Sequence, residues 1–296
     1  MNDKDDYLPL DLTIYLKVLK NNYKIICFVA AISLIISSIY AYNLSNMYKS
    51  EATLIVNKSD SYLSETSGLG PSYGGLATIA GLGSMTQEDS KVSLAKNYLN
   101  SRKFIYEFIE SEKLKPILLA TIGWSLDAGL IFDQSKYSQE INKWLEVDEP
   151  SLNDAYQHFI DNNFEFIEDA SSGTYKLIVK HYSPELAKEM VDLLIQRINK
   201  KVKQIEIDNA KKNIRYLENE LVKAEVSDMR KLFYRLIEKQ QQKLMLAKVQ
   251  EDFVFQTIDP AITPEKKYAP SRLLIVILIT FLSTAFAATL TVFRKS

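Results

Sequence analysis

The chain has one cysteine and two histidines in 296 residues. Cys27 lies within an apolar run, so the polar part of the sequence cannot form a disulfide with itself and must be held by packing. A zinc site of the Cys/His type is excluded on the same count. His158 and His181 are isolated from one another and read as surface or strand-end residues. A net charge of −1 leaves no electrostatic case for nucleic acid. Glycine is sparse, and six of the nine fall within 59–86, which points to one loop segment; from Glu185 to Glu251 there is neither glycine nor proline. The stretch Gly74-Gly75-Leu76 to Gly83 lacks the Gly-Lys-Ser/Thr ending of a phosphate loop, so it is expected to be a mobile or oligomer-lining loop. Adjacent acidic pairs such as Asp5/Asp6 and Asp148/Glu149 sit in polar runs and read as solvated, not as a glycosidase pair. No catalytic, cofactor or metal residues are expected.

What the chain does have is two uncharged apolar runs, Ile25–Leu44 and Leu273–Phe293, enclosing a long polar middle. As helices each is ~30 Å long, enough to cross a bilayer core. No A-x-A site follows the first run, so it reads as an uncleaved anchor. Ser33, Ser37 and Ser38 are compatible with a span because a serine hydroxyl can bond back to its own helix. Lys17, Lys20 and Lys24 precede the first run, which places residues 1–24 in the cytoplasm, 45–272 on the far side and 294–296 back in the cytoplasm. Lys266, Lys267 and Arg272 before the second run oppose Arg294 and Lys295 after it; the first span is expected to dominate. Leu12, Tyr15, Leu16 and Leu19 share a helical face in the lead segment and suggest an amphipathic helix at the membrane surface.

Between the spans, Tyr48–Val56 alternates as a strand, and 88–111 shows helical spacing. Trp124 and Trp144 are expected in the core of the region 112–150. Ser151 caps a helix to Asp161, and Asn163–Glu168 and Thr174–Lys180 form a hairpin across Ala170–Gly173. Ser183-Pro184 starts a helix that the absence of breakers extends to about Glu251, ~100 Å long, with Ser227-Asp228 as the alternative break. Such a rod, with its apolar seam, calls for neighbours. Phe253–Ile258 is a strand. Residues 259–272 form a proline-rich tether whose candidate functional residues are Pro260, Pro264, Pro270, Ser271 and Arg272.

The order and spacing of these elements resemble the Wzz-type polysaccharide co-polymerases, the chain-length determinants of bacterial surface polysaccharide. The likeness is carried by the paired spans, Tyr48–Val56, the glycine-rich segment leading into Leu94–Leu99-Asn-Ser-Arg102, and the Ser183-Pro184-Glu185-Leu186-Ala187 start of the long helix. The approach at Pro260, Pro264 and Pro270-Ser271-Arg272 adds to it. The second span has no glycine; Ser283, Ala285, Ala287 and Ala288 are its small residues, so glycine-mediated helix contacts are not carried over. The resemblance implies a membrane-anchored α+β protein: two transmembrane helices flank a periplasmic α/β base domain with a very long helix. It also implies a ring-like homo-oligomer of more than four subunits in the bacterial inner membrane. Acting on a lipid-linked glycan beside a Wzy-type polymerase, it would set lipopolysaccharide O-antigen length without being an enzyme. The alternative role is a membrane adaptor that activates a separate tyrosine kinase in capsule or exopolysaccharide export. A sensor with an outer ligand domain and a periplasmic hydrolase are further readings; no signalling module or catalytic pair supports them.

Overall fold

A computed structural model of the chain describes residues 23–57, 87–145 and 149–293. The lead segment with Leu12–Leu19, the glycine-rich segment 59–86, and Asp5, Asp6, Asp148, Arg294 and Lys295 lie outside the described residues. The elements in chain order are α1 (Tyr23–Asn43), β1 (Tyr48–Val56), α2 (Gln87–Leu99), α3 (Arg102–Ser111), α4 (Leu114–Leu119), β2 (Thr121–Ser125) and β3 (Gly129–Phe132). They continue with β4 (Tyr137–Ser138), β5 (Lys143–Trp144), α5 (Leu152–His158), β6 (Phe164–Asp169), β7 (Thr174–His181), α6 (Pro184–Lys223), α7 (Ser227–Val249), β8 (Phe255–Asp259) and α8 (Arg272–Phe293). Two compact units result. One contains α1 and α8; the other spans Met47–Lys267.

In the larger unit the strands run β6-β7-β1-β8, each antiparallel to its neighbour. Alternation in β1 sends Ser50, Ala52 and Leu54 into the core, opposite Val179, Leu177 and Tyr175 of β7. The other face carries Lys49, Glu51, Lys180 and Glu165, which form ion pairs Lys49–Glu51 and Lys180–Glu165. One face is therefore packed against helices and the other carries the ion pairs, with Ile178 buried among them. The cover is α6, through Ala187, Met190, Val191, Leu194, Ile198 and Val202, with α2, α3 and α5 completing the layer.

Local caps decide several boundaries. The helical spacing over 88–111 is divided into α2 and α3, because the Ser101 hydroxyl accepts the Phe104 N–H at 3.3 Å and starts a new helix. Ser151 makes a reciprocal capping box with Asp154, and α5 passes into a π turn at Phe159–Asn163. Gly173 turns the β6–β7 hairpin with φ of 66°, a conformation that costs glycine little. Trp124 and Trp144 are not core residues, contrary to expectation; they are half-buried in the two small hairpins β2–β3 and β4–β5.

The largest correction concerns the rod. A single helix from 184 to 251 does not form. α6 runs for 40 residues, ~60 Å, and ends at Lys223; Ala224 and Val226 are extended, and α7 starts at Ser227. The break falls beside the Ser227-Asp228 alternative, with Asp228 in the first turn of α7. No glycine or proline marks it. The driving force is burial: α7 folds back and covers the seam of α6, so that Leu217 packs with Leu232, Leu236 and Ile237. Farther down the pair, the Lys203 ammonium donates to the carbonyls of Lys248 and Gln250.

His181 closes β7 and is 1% exposed, not a surface residue. Its Nδ1 accepts the Ser183 N–H at 3.1 Å, which leaves Nε2 to face the Ile117 carbonyl at 3.4 Å as the protonated nitrogen. Burial is the main reason its pKa falls from 6.5 to about 4. Folding thus favours the neutral ring. Its contribution is complete above the unfolded value of 6.5 and drains away as pH falls toward about 4. Acid titration of stability should show a slope of at most ~1.4 kcal/mol per pH unit in that window. His181→Gln should flatten it; an unchanged slope in that variant would assign acid sensitivity to other groups.

Candidate functional site

The sequence-predicted site residues run from the end of β8 to the first residue of α8. In the helical pair, α1 buries Ser33, Ser37 and Ala41, four residues apart on one face, and α8 contributes the buried Ala287. Small side chains at this spacing let two helices approach closely in lipid, where packing and not water exclusion holds them. Ser33 and Ser37 each donate back to a carbonyl of their own helix, Ala30 and Leu34, so neither hydroxyl is left bare. Both helices are long and apolar enough to cross a membrane.

Arg272 begins α8 and ties it to the end of α1. Its guanidinium donates to the Leu44 carbonyl at 3.1 Å and to Asn46 Oδ1 at 3.0 Å, and lies 5.7 Å from the Tyr42 ring centre. This is a clasp at one mouth of the helical pair, made of charge-assisted hydrogen bonds and a cation–π contact. Ser271 is exposed and its carbonyl accepts the Ile275 N–H at 3.2 Å, opening α8; Pro270 is half-buried beside it.

Within the larger unit the tether is less free than its prolines alone imply. Pro260 is exposed, yet Ala261 is buried, and the Ser50 hydroxyl donates to the Ile262 carbonyl at 2.8 Å. The segment is therefore pinned to β1 up to Ile262, and Pro264 is half-buried. The structure does not gather the five predicted residues at one point: Pro260 and Pro264 belong to the larger unit, Pro270, Ser271 and Arg272 to the helical pair.

Asn199 is a residue that the sequence reading missed. It is buried at 3% exposure in α6. Its Nδ2 donates to the Phe255 carbonyl at 2.8 Å, and its Oδ1 accepts the Val254 and Phe255 N–H groups, each at 2.9 Å. One side-chain amide thus behaves as a missing strand along the outer edge of β8, the strand that leads into the tether. The only signal in the sequence was a polar residue between Ile198 and Val202 on an otherwise apolar stripe.

Two other polar features line α6. Arg197 pairs with Glu112, and Lys201 lies 3.6 Å from Glu107, beside an open groove of about 490 Å³ floored by Phe104 and Leu193. Its cations are largely matched by local carboxylates. Lys91 of α2 is buried with its ammonium 4.2 Å from the Phe253 ring centre; burial lowers its pKa to about 8, and Glu206 opposes that fall. Among the described residues no cluster of His, Cys, Asp or Glu could hold a metal ion.

Comparison with known proteins agrees with this layout. Residues 9–112 match the family model described as Wzz, chain length determinant protein, a stretch that includes α1, β1, α2 and α3. The chain thus carries a Wzz-like stretch over about the first third of its length. No curated protein matches it. Among solved structures, one described as a full-length bacterial polysaccharide co-polymerase aligns over 95% of this chain and 96% of its own, with 9% identity and a TM-score of 0.46. A fragment of WzzB, a polysaccharide co-polymerase from Salmonella Typhimurium, aligns over 76% of this chain and 100% of its own, with 13% identity and a TM-score of 0.35. At these scores neither structure adds more than a general likeness.

Proposed function

We propose that the protein is a non-catalytic regulator of bacterial surface polysaccharide length, of the lipopolysaccharide O-antigen type, working beside a Wzy-type polymerase on a lipid-linked glycan. The observation that carries this is the Wzz match over residues 9–112, in a chain whose two apolar helices flank a folded unit. The protein works as a ring-like homo-oligomer of more than four subunits in the inner membrane. Both termini lie in the cytoplasm, and residues 45–272 lie in the periplasm. The exposed side chains Tyr216, Val222, Val226 and Tyr234 on the outer part of α6, the α6–α7 turn and α7 give neighbouring copies an apolar surface to share. Pro260, Pro264, Pro270, Ser271 and Arg272 transmit the state of that assembly to the spans.

A deletion strain should lose the sharp mode in its surface polysaccharide ladder, and the complemented strain should regain it. An unaltered ladder in the deletion strain would refute the role. Orientation is read separately: alkaline phosphatase fused in the β6–β7 turn at 171–173 should be active, and the same enzyme after Ser296 inactive. The opposite pattern would overturn the topology.

A further inference from the structure

We infer that the two small hairpins β2–β3 and β4–β5 form a shallow membrane-contacting face that presses on the surface of the bilayer spanned by the same chain. The first observation is residue type at the tips. Tight turns normally expose Gly, Asn, Asp or Ser. Here the first turn presents Leu126 at 89% exposure and the second presents Ile141 at 63%. Ile122, Ile131 and Leu145 are also exposed on the same pair of hairpins. Such residues gain nothing from contact with water.

The tips are held in shape. The Ala128 N–H donates to Ser125 Oγ at 3.1 Å and Gly129 has φ of 68°, which fixes the first turn. In the second, Asn142 has φ of 52° and accepts a hydrogen bond from the Tyr137 hydroxyl. Behind them stands an aromatic ladder. Phe132 lies 5.4 Å from Tyr137, and Tyr137 lies 5.3 Å from Trp144, between ring centres. Tyr137 is buried and Trp144 half-buried behind the apolar tips, and Trp is a residue favoured at a lipid–water boundary.

The chain itself selects the occupant. Trp124 of β2 packs edge-on against Tyr48 at 5.9 Å. Tyr48 follows the end of α1 at Asn43 by only a few residues, at most ~18 Å of extended chain. The first hairpin is thus attached to the start of β1, within that length of chain of the end of α1. Asp127 next to Leu126, and the exposed Lys136 and Lys143, limit the contact to headgroup depth. The inference rests on α1 and α8 being spans, and on nothing concerning polysaccharide.

The test uses the full chain in phosphatidylcholine–phosphatidylglycerol nanodiscs with an environment-sensitive fluorophore. Leu126→Cys and Ile141→Cys are made on a Cys27→Ser background, with Val222→Cys, 87% exposed on α6, as the distant reference. The native Cys27 labelled alone reports the span. Headgroup-spin-labelled lipid should quench probes at 126 and 141 several times more than the probe at 222, with a blue-shifted emission. Equal quenching at 126, 141 and 222 overturns the inference. So does a probe at 126 that is shielded from aqueous iodide yet untouched by spin-labelled lipid, because a protein then covers the tip. Quenching at 27 without quenching at 126 removes the hairpin contact alone; absence at both removes the spans as well.

Discussion

Asn199→Leu should destabilise the folded unit by about 3–5 kcal/mol. Leucine has the same branching and number of side-chain heavy atoms and a higher helix preference than asparagine, so a loss of stability reports chiefly the missing amide. It strands the N–H groups of Val254 and Phe255 and the carbonyl of Phe255, all otherwise served by Asn199. Each buried group left without a partner costs about 1–3 kcal/mol. The damage is focused on β8, which pairs only with β1 and has a shift in register between Thr53 and Leu54. Asn199→Asp keeps acceptors for the two N–H groups but buries a charge and sets a carboxylate oxygen against the Phe255 carbonyl, so it should also be strongly destabilised. Urea unfolding of the full chain in detergent, followed by tryptophan fluorescence, measures both. A loss below about 1 kcal/mol for the leucine variant would mean that the edge of β8 finds other partners.

The second large effect is on function. Replacing Pro264 and Pro270 together with glycine should leave protein level and assembly normal while broadening or shortening the polysaccharide distribution. Proline restricts the backbone of a linker, and glycine releases it. Because Ser50 holds the Ile262 carbonyl and Arg272 clasps Leu44 and Asn46, the slack created lies between those two fixed points. A length-setting assembly whose folded units act on the spans needs that short path to be stiff. A sharp, unshifted mode in the double variant would show that stiffness there is irrelevant, and control would then rest with the second span or the exposed face of α6.

Much of the architecture is determined by sequence, because it depends on local chemistry. Apolar runs without charge make α1 and α8 whatever else the chain does. Alternation fixes which face of β1 is covered, and Ser151 and Ser183-Pro184 start their helices by hydrogen bonds within one turn. The layout of spans, sheet and proline-rich approach was therefore legible, and so was the Wzz likeness that rests on it.

What only the tertiary structure decided is where distant segments meet. The turn at Ala224–Val226 has no glycine or proline to announce it; it exists because Leu217 is better buried against Leu232 and Leu236 than left on a solitary rod. His181 and Asn199 look like ordinary polar residues until β7, α6 and β8 close around them. The same holds for Trp124 and Trp144, which composition assigns to a core and the fold places beside two exposed turns. Periodicity and capping are short-range and can be read along the chain. Burial of a seam and completion of a strand edge are long-range, and they acquire meaning only when the partners are in place.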